Sequence, residues 1–133
     1  MLMELDMQSD VPIYTQLINQ ILEGIASGRL QPGEALPSVR SMASDIGINL
    51  HTVNKAYTLL KQEGFILVHR QKGVVVNPDG MPPVTAEYTE QQHKQLRSIT
   101  AEAICRGMTR DQLLGIVGQI YDDLRPNEHE RGS

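Results

Sequence analysis

Five basic side chains, Arg40, Lys55, Lys61, Arg70 and Lys72, fall between Ser38 and Gly73 against only Asp45 and Glu63, so this stretch is net positive inside a chain of formal net charge −4. A local cationic face on an acidic protein can hold phosphates while the overall negative charge discourages unspecific binding. Other chemistry finds little support. His51, His69, His93 and His129 lack the spacing of metal ligands, and Cys105, the single cysteine, can form neither an internal disulfide nor a thiolate cage. Cys105 is expected to be a small buried hydrophobe on a helix rather than a redox sensor. No nucleophile is paired with a base, so neither catalysis nor a cofactor or metal is expected. A chain of 133 residues has room for one ordinary domain or a small domain with an appendage. No apolar run approaches the roughly 20 residues that cross a membrane, and the expectation is a cytoplasmic protein without a signal peptide.

The elements that would carry these charges follow from periodicity and punctuation. Asp10 before Pro12 predicts a helix start, and Ile13, Leu17, Ile21 and Ile25 recur every fourth position until Gly28. After a Pro32-Gly33 turn, Ser38 caps a second, short helix with Val39, Met42, Ala43 and Ile46 inward, stopped by Gly47. Asn49 caps a third, in which Val53, Ala56, Tyr57 and Leu60 face inward before Gly64. Phe65-Ile66-Leu67-Val68 and Val74-Val75-Val76 then read as two short strands around the basic turn His69-Arg70-Gln71-Lys72-Gly73.

Helix, tight turn, helix and basic hairpin place one helix in the major groove of double-stranded DNA, where each base pair displays its own donors and acceptors. The helix from Asn49 is the reader, with Asn49, Leu50, His51, Thr52, Asn54 and Lys55 on its first turns. His51 and Asn54 suit base edges and Leu50 a thymine methyl. Arg40, Lys55 and the backbone N–H groups near Ser38 suit phosphates, and Arg70 and Lys72, with Gln71 and Gly73, suit the DNA backbone or minor groove. Tyr57 is counted with the reader, although packing, with its hydroxyl at the surface, is its plainer role. Each cation taken alone is as well explained as a solvated surface charge; their confinement to this stretch favours binding.

The string Pro12-Ile13-Tyr14, Gln16-Leu17, Pro32-Gly33-Glu34, Leu36-Pro37-Ser38-Val39-Arg40, Thr52-Val53, Ala56-Tyr57, Leu60 and Glu63-Gly64 resembles the N-terminal domain of GntR-family bacterial regulators over about residues 11–76. The resemblance implies a phosphate-binding role for Arg40 and a reader at 49–57. Two departures stand out: Leu50 where many members carry arginine, and Gln71 where the wing often has its first glycine, with Gly73 retained. Base preference therefore cannot be copied from relatives. The short remainder is similar to the YtrA subfamily, whose two-helix module pairs subunits and whose members often repress transporter operons.

Residues 77–83 are rich in proline and glycine and predict a stiff linker. Beyond it Leu96, Ile99, Ala103 and Ile104 share a helical face, and Thr109 with Gln112 forms a capping-box pattern ahead of Leu113, Ile116, Val117, Ile120 and Leu124. Two amphipathic helices leave apolar surface that a second copy would bury, which predicts a homodimer and an inverted-repeat operator. The expected fold is mainly α with a small β wing: a winged helix-turn-helix over 1–78, a linker over 79–83, a two-helix dimerisation region over 84–125 and a disordered tail over 126–133. The expected function is sequence-specific repression. The rivals are a winged-helix protein-interaction module and an effector-sensing regulator with a small molecule at the dimer interface.

Overall fold

A computed structural model describes residues 4–125, so the expected tail at 126–133 lies outside the described residues. The chain runs α1 (Ile13–Ala26), α2 (Val39–Ile46), α3 (Leu50–Glu63), β1 (Ile66–His69), β2 (Gly73–Val76), α4 (Ala86–Cys105) and α5 (Arg110–Leu124), and divides after Pro82 into two compact units. The fold is mainly helical with one small wing.

Local chemistry explains most element boundaries. The Ser38 side chain accepts the Ser41 N–H at 3.1 Å and the Asn49 Oδ1 accepts the His51 N–H at 2.7 Å, satisfying donors that a helix start leaves orphaned. Gly47 (φ 73°) and Gly64 (φ 92°) end α2 and α3 in the left-handed conformation that a Cβ disfavours. The start of α1 corrects the sequence expectation. Pro12, not Asp10, is its N-cap residue, without a side-chain cap. Ser9 Oγ accepts the Val11 N–H instead, and Gln16 reaches back, donating to the Asp6 and Val11 carbonyls at 2.9 Å and accepting the Asp6 N–H at 2.8 Å. Gln20 pairs with the Glu4 backbone in the same manner. Two glutamines thus tie the entering chain to α1.

The core of the first unit joins Leu17 and Ile21 of α1, Met42 and Ala43 of α2, and Val53, Ala56, Tyr57 and Leu60 of α3 with Leu30, Leu36, Ile66 and Val76. Fully burying side chains of this size contributes about 1.5–3 kcal/mol each. Inside α1, Gly24 lets Leu30 close over the helix: a Cβ there would lie 2.8 Å from Leu30 Cδ1, and the Leu30 N–H donates to the Gly24 carbonyl at 2.9 Å. β1 and β2 pair antiparallel from Ile66 opposite Val76 to His69 opposite Gly73. The Pro-Gly-Glu turn, read from sequence as a connection only, also lines the sheet. Ala35 bridges Val75, and the Leu36 N–H donates to the Val74 carbonyl at 2.8 Å.

In the second unit, Thr85 caps α4 by accepting the Tyr88 N–H at 3.0 Å. Thr109 and Gln112 form the full capping box of α5, with bonds of 3.1 and 2.8 Å. No residue of α4 or α5 is buried, and Cys105, expected to be buried, is exposed at the end of α4. Leu96, Ile99, Ile104, Leu114, Ile116, Val117, Ile120 and Tyr121 are exposed, and Ala103, Leu113 and Leu124 are half-buried.

Candidate nucleic-acid interface

Helix α2 is only eight residues long, and its purpose is positional. Met42 and Ala43 bury against α3, and the left-handed Gly47 returns the chain at once to Asn49, where α3 begins. This brings the first turns of two helices onto one surface. Val39 and Arg40 of α2 and Leu50, His51 and Asn54 of α3 together line a shallow, open depression of about 280 Å³. Arg40, His51 and Asn54 are exposed, and Leu50 is 40% exposed.

The remaining sequence-derived residues fall into three groups. Arg70, Gln71, Lys72 and Gly73 are all exposed at the tip of the wing. Ser38 and Asn49 each spend a side-chain oxygen on a helix cap, and the Ser38 hydroxyl donates to Ser41 Oγ at 3.1 Å. Lys55 is exposed, with its Nζ 3.9 Å from the centroid of the Tyr14 ring, and Thr52 is half-buried beside it on α3. The Tyr14 contact was missed from sequence because it joins α1 to α3. Such a pairing is worth about 0.5–1 kcal/mol at an exposed site and restricts where the ammonium can reach.

Tyr57 packs, the plainer of its two sequence readings, and its place among the DNA-contacting residues is corrected. It has no exposed surface, and its hydroxyl, expected at the surface, donates to the Pro37 carbonyl at 2.7 Å. A side chain with no accessible surface cannot touch DNA without local unfolding. Burial pushes the phenol up from its ordinary 10.0 to about 12, since the anion would lose its hydration. Tyr57 instead ties α3 to the residue before the cap of α2.

The electrostatics favour an anionic partner. Ion pairs among the described residues include Lys94 with Glu90 and Arg106 with Glu102, both within or beside α4. Arg40, Lys55, Lys61, Arg70 and Lys72 engage no carboxylate among the described residues, so their charges are available to phosphates. Also among the described residues, no cluster of three or more His, Cys, Asp or Glu could hold a metal, and no helix is long and apolar enough to cross a membrane.

Comparison with known proteins places this geometry. The profile of bacterial regulatory proteins of the gntR family matches residues 13–76. The HTH-type transcriptional repressor YtrA of Bacillus subtilis is 31% identical over 124 residues, covering 93% of this chain and 95% of that protein. The chain belongs to the GntR family. It is a DNA-binding transcription regulator with a winged helix-turn-helix, in a family of regulators and not of enzymes. Among solved structures, YtrA from Sulfolobus acidocaldarius, a GntR-family transcription factor, is 38% identical with a TM-score of 0.53, covering 90% of this chain and 97% of that one. A transcriptional antiterminator from Listeria monocytogenes EGD-e superposes with a TM-score of 0.85 at 25% identity, covering 93% and 92%. The likeness to YtrA therefore extends beyond the winged helix into α4 and α5.

Proposed function

We propose that this GntR regulator is a repressor that binds an inverted-repeat operator as a homodimer and blocks transcription, with transporter operons as the class of target implied by its likeness to the YtrA subfamily. The observation that carries the reading is the shared surface of Arg40 with Leu50, His51 and Asn54 at the starts of α2 and α3. Arg40 clamps a phosphate there, while His51 and Asn54 meet base edges and Leu50 a thymine methyl. Lys55 holds a second phosphate from its place over Tyr14, and Arg70 and Lys72 bring the wing to the backbone or minor groove.

Pairing through α4 and α5 completes the reading. Residues 84–125 act as the dimerisation region, with Leu96, Ile99, Ala103, Leu113, Ile116, Val117, Ile120 and Leu124 covered by the second copy. Ile99 at 55% and Ile120 at 50% exposure are apolar surface that association would remove from water. Twofold pairing supplies two readers and hence two half-sites. Selection of bound sequences from a random DNA pool, at two salt concentrations, tests the proposal. An enriched inverted repeat is expected; an enriched single half-site would overturn the dimeric operator, and no enrichment would overturn sequence-specific binding.

A further inference from the structure

The wing of this protein carries a feature that its basic side chains do not explain. The turn of residues 70–72 joins β1 to β2, closed by the pair His69–Gly73 with Gly73 at φ 78°. In a three-residue hairpin loop the N–H groups in the middle of the turn have no ladder partner. Here one side chain takes both. The Nδ1 of His69 accepts the Gln71 N–H at 3.1 Å and the Lys72 N–H at 3.2 Å. An imidazole nitrogen that accepts carries no proton, so the ring's hydrogen lies on Nε2. His69 does what Asp or Asn does at the start of a turn, using an acceptor at the δ position to bind backbone N–H groups two and three residues on.

The turn needs such a fastening. Arg70 and Lys72 are like charges two residues apart on a loop that is exposed throughout, and among the described residues no acidic side chain pairs with either. Their repulsion favours an opened loop, and no core contact opposes it. We infer that His69 is a positioning residue of the DNA interface, whose Nδ1 latches the wing turn in the conformation that presents Arg70 and Lys72 to the nucleic acid. A latched wing meets the DNA already ordered; an unlatched one must lose its freedom on binding, and the affinity falls by that cost. The role rests on the proposed contact of the wing with DNA.

The test compares His69→Ala, His69→Asn and the double variant Arg70→Ala/Lys72→Ala on a duplex recovered by selection from the random pool. Amide exchange at Gln71 and Lys72 is followed without DNA. Asparagine places its Oδ1 where the imidazole has Nδ1, so it should restore the latch. Loss of a cap of this kind should weaken His69→Ala about fivefold, with His69→Asn within about twofold of wild type, and the two amides should exchange faster only in His69→Ala. Unchanged affinity in His69→Ala, or equal weakness in both His69 variants, overturns the inference while the double variant still binds poorly. If the double variant binds as wild type, the wing contact itself is wrong and the positioning role of His69 falls with it, whatever the amides do.

Discussion

At the scale of single residues, the proposed interface separates groups that would hold DNA anywhere from groups that would read it. Arg40 is exposed, unpaired and in the first turn of α2, so Arg40→Ala should weaken all duplexes alike and lower the salt slope by about one unit for each phosphate no longer neutralised. His51→Ala or Asn54→Ala should instead relax preference at particular base pairs, by roughly 1–3 kcal/mol for each well-made contact. Titrations of selected and scrambled duplexes over a range of salt distinguish the two; sequence-dependent loss for Arg40, or uniform loss for His51 and Asn54, would reverse the assignments. Tyr57 acts on stability. Its phenol, at about 12 in the folded chain against an ordinary 10.0, binds its proton more tightly when folded. Its contribution is therefore complete below about pH 10 and falls as pH rises towards about 12. Tyr57→Phe should lose about 1 kcal/mol at neutral pH, with the Pro37 carbonyl left short of a donor. It should also lose less than wild type between about pH 9 and about pH 11. Urea unfolding at both pH values checks this, and parallel alkaline losses in the two proteins would refute it.

At the scale of elements, short-range capping makes the helices and close approach joins them. Gly24 shows which effect wins. In an ordinary helix interior, glycine to alanine stabilises by up to about 1 kcal/mol. Here the new Cβ would meet Leu30 Cδ1 at 2.8 Å and Cγ at 3.0 Å, and Leu30 is itself in the core. Overpacking of this kind costs about 1–3 kcal/mol, so Gly24→Ala should destabilise by roughly 1 kcal/mol net in chemical denaturation. A more stable variant would mean that Leu30 can give way. The element boundaries also show how much was legible in sequence. Ser38, Asn49 and the Thr109–Gln112 pair cap the helices that their spacing indicated, because a cap is a bond across two or three residues. Asp10 misled for the same reason turned round: it has the chemistry of a cap, but Ser9 and Gln16 bind the backbone around it.

At the scale of the whole molecule, the second unit offers no core of its own, since α4 and α5 bury no residue. In the proposed dimer its apolar faces are covered by a second copy. Ile120→Glu changes a side chain that is half exposed in the single chain, so the monomer should fold as before. In sedimentation it should run as a monomer where wild type runs as a dimer. Its affinity for an inverted repeat should fall about 10²–10⁴-fold while a single half-site binds about equally in both proteins. A dimeric Ile120→Glu with full affinity would remove the proposed interface.

The amino-acid sequence by itself determined the order and type of elements, the basic hairpin and the family, because periodicity, capping and turn chemistry act over a few residues. It also placed Arg40, His51, Asn54, Arg70 and Lys72 on the segments that expose them. Only the tertiary structure decided which of the candidates face solvent and what each side chain touches. The Tyr57 hydroxyl found a carbonyl 20 residues away, Lys55 settled over Tyr14 from another helix, and Ala35 joined the edge of the wing. Each outcome depends on where remote parts of the chain pack, and short-range spacing carries no record of that.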